Sequence, residues 1–189
     1  MNKNYQNKKA GFTLVETLVA ISILSLSILA GFTAVQNGLK SSLTAKDQMT
    51  AFYLTQEAME LIKNKRDENA LYFITNGSRT WLTGMAEVAN DPCYFGKTCR
   101  IDSGTGTFTD CSVDGASCQN LRQDRVINSA TKGLYGYTGS WTLTNFRRTI
   151  AFQQIVAGQE VKVTITMNWT QGGINKSFQI SQSLFNRLQ

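Results

Sequence analysis

Nineteen consecutive residues, Thr17 to Val35, carry no charge. In a helix that rises about 1.5 Å per residue they cover roughly 28 Å, close to the hydrocarbon thickness of a bilayer. A run of this length must be buried in lipid or against other chains. It follows a basic, polar stretch, MNKNYQNKKAG, in which Lys3, Lys8 and Lys9 stand without an acid. The cations hold that end in the cytoplasm, so a single-pass topology with the C-terminus outside the cytoplasm is expected. A secretory signal peptide has a shorter core, followed by its small cleavage residues. Here the small residues Ala10 and Gly11 come first, so cutting there keeps the anchor in the mature chain. A plain signal anchor also explains the apolar run, but it has no use for Glu16.

Glu16 is the only ionisable side chain between Lys9 and Lys40. A carboxylate at the edge of an apolar helix is costly unless it is paired. If the chain is cut so that Phe12 becomes the N-terminus, a new ammonium lies one helical turn away. The ammonium of a neighbouring copy serves equally well. Either pairing offsets much of the desolvation cost.

The stretch Lys8-Lys9-Ala10-Gly11-Phe12-Thr13-Leu14-Val15-Glu16, with the apolar run behind it, resembles the processing site of type IV prepilins and pseudopilins. The resemblance implies cleavage after Gly11 by a prepilin peptidase and N-methylation of Phe12. It also implies assembly with other pilin subunits through the N-terminal helices, with Glu16 as the assembly carboxylate. Weaker similarities extend further. Gln56-Glu57 through Lys65-Arg66-Asp67-Glu68-Asn69, the stretch Phe146-Arg147-Arg148-Thr149-Ile150, and a strand ending in Trp169 before Gly172-Gly173 are similar to a group of PilV-like minor pilins. On that basis the expected function is a structural subunit of a type IV pilus or related filament, displayed outside the cell. The alternative is a pseudopilin of a type II secretion system, in a periplasmic pseudopilus, or a DNA-uptake pilin.

Composition agrees with a non-enzymatic subunit. The chain has no histidine, the usual general base and commonest zinc ligand. No nucleophile–base pair, phosphate loop or metal constellation is visible, so neither catalysis nor a cofactor is expected. Of the net charge of +6, Lys3, Lys8 and Lys9 contribute three. Trimming therefore leaves a weakly basic protein, and nucleic acid is not an expected partner unless the role is DNA uptake. Lys63, Lys65 and Arg66 read as a solvated helix end, and Arg147 and Arg148 as strand-edge residues. Cys93, Cys99, Cys111 and Cys118 fall within 26 residues. Such a cluster in an exported chain reads as disulfides. Sequential pairing is the expectation among three connectivities. The five and six intervening residues do not suit zinc, which takes about two to four between paired ligands. Asp102, Asp110 and Asp114 match no calcium loop. The sequons at Asn76, Asn168 and Asn175 are assigned no function.

The helix is expected to continue from Phe12 to about Lys65, roughly 80 Å, with bends at Gly31 and Gly38. Positions 51, 54, 58, 61 and 62 form one apolar stripe. Leu71 to Ile74 is a separate short apolar run, and Trp81 to Val88 reads as a short helix. The C-terminal third alternates: Val161, Val163, Ile165, Met167 and Trp169 share one face of a strand. Gly172-Gly173 turns into a partner strand with Phe178, Ile180 and Leu184. An earlier strand covers Thr142 to Gln153. The expected fold is α+β: a long N-terminal helix, half membrane-spanning and half amphipathic, packed on an antiparallel sheet of 3–4 strands. The expected divisions are a leader at 1–11, a membrane and assembly helix at 12–38, and a globular domain at 39–189 with a cysteine-containing loop region at 91–140.

Overall fold

The computed structural model describes residues 11–114 and 118–187. Lys3, Lys8, Lys9 and Ala10, all in the expected leader, and the Asp114 side chain lie outside that description. The chain divides into two compact units, Met1–Lys46 and Asp47–Gln189.

The first unit holds the start of α1 (Leu14–Asn76). Every residue from 11 to 43 is exposed. The helix begins at Leu14 rather than Phe12, because Thr13 caps it. It runs through Gly31 and Gly38 without interruption. Among the described residues α1 is the one helix long and apolar enough to cross a membrane.

In the second unit, α1 buries Ala51, Leu54, Ala58, Met59 and Ile62; of the expected stripe Leu61 is only partly buried, and Met59 is added. The helix does not end at Lys65. It absorbs the 71–74 run and stops where Gly77 adopts a φ of 68° and donates its N–H to the Phe73 carbonyl at 2.8 Å. A residue at that φ is strained unless it is glycine. Lys63, Lys65 and Arg66 therefore lie inside the helix, paired with Glu60, Glu68 and Asp67. Arg66 is buried rather than solvated.

The segment 81–88 is a chain of turns, not a helix. Met85 and Ala86 both donate to the Leu82 carbonyl, and Gly84 at φ 76° ends the turn. Buried Asn69 fastens this segment to α1, its amide donating to the Thr83 carbonyl at 2.8 Å.

The strands are β1 (Thr98–Ile101), β2 (Phe108–Asp110), β3 (Arg122–Gln123), β4 (Tyr135–Gly136), β5 (Thr142–Leu143), β6 (Arg147–Val156), β7 (Glu160–Gln171) and β8 (Ile174–Phe185). They form a five-stranded antiparallel sheet, β2-β1-β6-β7-β8, and a three-stranded one, β4-β3-β5. The C-terminal strands are those the alternation indicates, and β1 and β2 are added from the cysteine region. The expected strand at 142–153 is split. Thr144 donates its N–H and its hydroxyl to the Leu121 carbonyl, so the chain leaves the small sheet there and enters the large one at Arg147. Gly172 and Gly173, at φ 57° and 79°, make the two-residue β7–β8 turn, which needs positive φ at both positions.

Val161, Val163, Ile165 and Leu184 pack with Ala58, Met59, Ile62, Ile150 and Phe152 in the main core. A second cluster joins Ala51 and Leu54 to Leu121, Phe146, Met167 and Trp169. Each fully buried aliphatic side chain contributes about 1.5–3 kcal/mol. Disulfides join Cys93 to Cys99 and Cys111 to Cys118. The two lie side by side, with Cys118 Sγ 3.5 Å from the Cys99 carbonyl.

Gly136 has no room for a side chain. An added Cβ would lie 3.0 Å from the Trp141 ring and 3.3 Å from Asp102 Oδ1. Asp102 cannot easily yield, because its oxygens accept from the N–H groups of Gly104 and Tyr137. Gly136→Ala is expected to cost about 1–2 kcal/mol, read as a lower midpoint of thermal unfolding.

Candidate assembly site

The N-terminus of α1 is built as a reciprocal cap. Thr13 Oγ1 accepts from the Glu16 N–H at 3.3 Å, and the Thr13 N–H donates to Glu16 Oε2 at 3.5 Å. The pattern Thr-x-x-Glu satisfies two backbone donors that the helix leaves unpaired. It also places an acid in the first turn, where the helix dipole favours it. Glu16 thus has a local task in the single chain. Its carboxylate remains exposed, beside Phe12 at 77% exposure and Gly11.

Beyond this cap, the polar side chains of the apolar run are already satisfied. The hydroxyls of Ser22, Ser25, Ser27 and Thr33 donate to the carbonyls of Leu18, Ile21, Ile23 and Leu29, each at 2.8 Å. Such bonds let hydroxyls enter an apolar phase without an orphaned donor. What remains outward is hydrocarbon: Leu18, Ile21, Leu24, Ile28 and Phe32 are all more than half exposed. The segment therefore presents apolar surface on all sides, with one acid at its tip.

The class these features define is an α+β protein with an exposed apolar N-terminal helix. Residues 6–32 match the family model of the prokaryotic N-terminal methylation motif. The matched residues include Gly11, Phe12 and Glu16. No curated protein and no solved structure matches the chain.

A second arrangement went unread in the sequence. Arg148 lies on the buried face of β6, a central strand of the large sheet, and is completely inaccessible. This corrects the strand-edge reading. Its Nη1 donates to the Leu54 carbonyl at 2.8 Å and to Glu57 Oε2 at 2.9 Å. Its Nη2 donates to the Ile101 carbonyl at 2.8 Å and to Ser103 Oγ at 3.3 Å. One planar fork thus ties α1, β6 and the end of β1 together, which a lysine ammonium cannot do. The signal was the register: Arg148, Ile150 and Phe152 share a face.

The loop at 124–134 is knotted by one carboxylate. Asp124 accepts from the Ser129 hydroxyl, from the Thr131 hydroxyl at 2.7 Å and from the Val126 N–H at 2.9 Å. Those bonds, Ser129 first and then Thr131 and Val126, hold its pKa below the ordinary aspartate value, against the opposing effect of burial. A depressed folded-state pKa stabilises the fold above the unfolded value, about pH 3.9. That contribution is lost as pH falls through the lower folded value. Asp124→Asn is therefore expected to lower the melting midpoint at pH 7, with the gap from the parent narrowing below pH 4. A gap that stays constant from pH 7 to pH 3 would contradict this assignment.

Proposed function

We propose that this chain is a structural subunit, a minor pilin, of a type IV pilus or related filament. It enters the cytoplasmic membrane with its C-terminus outside. A prepilin peptidase trims it after Gly11 and methylates Phe12. It then packs into the filament through α1. The observation that carries this reading is the isolated acid, Glu16, at the tip of an unburied apolar helix within the methylation motif.

The physical course is direct. Extracting the helix from lipid exposes its hydrocarbon surface, and side-by-side packing of many such helices reburies it. In that dry bundle a carboxylate needs a cation. The trimmed amine of a neighbouring subunit supplies one and sets the axial register between copies. Asp47–Gln189, with the large sheet and both disulfides, is the part displayed.

Quantitative mass spectrometry of sheared, purified filaments tests the reading. The expected result is this chain present well below the main subunit. Equal abundance would overturn the word minor. Absence from filaments, with retention in a periplasmic secretion complex, would assign the chain to a pseudopilus instead.

A further inference from the structure

At the β7–β8 turn end of the large sheet, a cleft of about 310 Å³ is lined by Asn120, Asn145, Arg147, Asn168, Thr170 and Asn175, with Trp169 beside them. That volume sits at the low end of the roughly 300–1,000 Å³ typical of small-ligand pockets. The lining comes from β6, β7, β8 and the segments just before β3 and β6. It contains one cation, no acid and four carboxamides.

Three of the four carboxamides, Asn120, Asn145 and Asn175, are held in place. Asn145 Nδ2 donates to the Thr170 carbonyl at 2.7 Å, and Thr170 Oγ1 donates to Asn175 Oδ1 at 2.9 Å. Asn120 Nδ2 donates to the Thr144 carbonyl at 3.1 Å. These bonds leave the Asn120 and Asn145 oxygens and the Asn175 amide nitrogen for a ligand. Arg147 and Asn168 are cross-strand partners in the register. Neither side chain makes a hydrogen bond or ion pair among the described residues. The cleft therefore offers an unneutralised guanidinium fork together with fixed amide donors and acceptors.

We propose that this cleft binds a carboxylated sugar residue. The guanidinium matches a carboxylate in bidentate fashion. Carboxamides, which both donate and accept, match neighbouring hydroxyl groups. A nucleic-acid strand fits less well. Its affinity rests on several cations along the phosphates, and here there is one. Base stacking needs an open aromatic face, whereas Trp169 is 5% exposed, its ring packed near Phe146.

The test uses the full mature chain in detergent, so it reads independently of filament assembly. Binding of D-glucuronate is followed by saturation-transfer NMR and calorimetry, with D-glucose, acetate, inorganic phosphate and a single-stranded oligonucleotide as comparisons. Glucuronate is expected to bind, and glucose at least about tenfold more weakly, the loss of one charge-assisted contact. Arg147→Gln and Asn168→Ala should each weaken glucuronate by a similar factor, while Gln179→Ala, on β8 away from the cleft, leaves it unchanged. Melting midpoints from tryptophan fluorescence establish that each variant is folded. Three results would overturn the proposal: no glucuronate binding at millimolar concentration, acetate or phosphate binding as tightly as glucuronate, or a folded Arg147→Gln that binds normally. Preference for the oligonucleotide would replace the sugar with a nucleic acid.

Discussion

Glu16→Ala is expected to leave trimming after Gly11 intact and to cut incorporation into filaments about a hundredfold, because an unpaired ammonium among packed apolar helices costs about 3 kcal/mol. The structure adds a control that separates two roles. In the single chain Glu16 also closes the cap with Thr13. Glu16→Gln keeps a Thr-x-x-Gln cap but removes the charge. If pairing with a neighbour's amine is what matters, Gln fails nearly as badly as Ala. If capping is what matters, Gln assembles and Ala does not. Immunoblots of sheared filaments, normalised to trimmed protein in the cells, distinguish the two. Normal incorporation of Glu16→Gln would remove the inter-subunit ion pair from the account.

Arg148→Met is expected to lower stability by about 3 kcal/mol. The substitution conserves much of the volume, so the loss comes from polar groups. The Leu54 and Ile101 carbonyls and the Glu57 carboxylate all lose a charged donor. Glu57→Gln should cost less, about 1 kcal/mol, because the Glu57 side chain is 33% exposed and partly screened by water. Arg148→Lys falls between, since a single ammonium cannot reach partners on α1 and β1 together. The melting midpoint followed through Trp81, Trp141 and Trp169 should drop by roughly 10 °C for Arg148→Met. A drop no larger than that of Glu57→Gln would mean that the fork holds nothing essential.

What could be read from the residues followed one rule: long periodic segments were visible, and short or non-local ones were not. Along β7 the buried residues alternate from Val161 to Trp169, so its buried face was plain. The same holds for the stripe on α1. β1 and β2 have four and three residues and pair across a Gly-Thr-Gly turn, too short for alternation to rise above chance. The end of α1 was misplaced because the charges at 63–68 resemble a terminus, whereas they pair with one another and with Glu60 inside the helix. Arg148 was hidden by its residue type: a strand arginine reads as wet, and only the burial of Ile150 and Phe152 on its face shows otherwise. The methylation motif that spans Glu16 was legible because its signal is local. The cleft around Arg147 was not, since its lining comes from several separated segments that meet only after the sheet forms.

The central claim concerns where the mature chain begins, and intact-mass and N-terminal peptide analysis of native material reads it directly. The account predicts a chain that starts at Phe12 and carries one methyl group on its α-nitrogen. A chain that starts at Met1, or one cut beyond Val35 so that the apolar helix is lost, would contradict it.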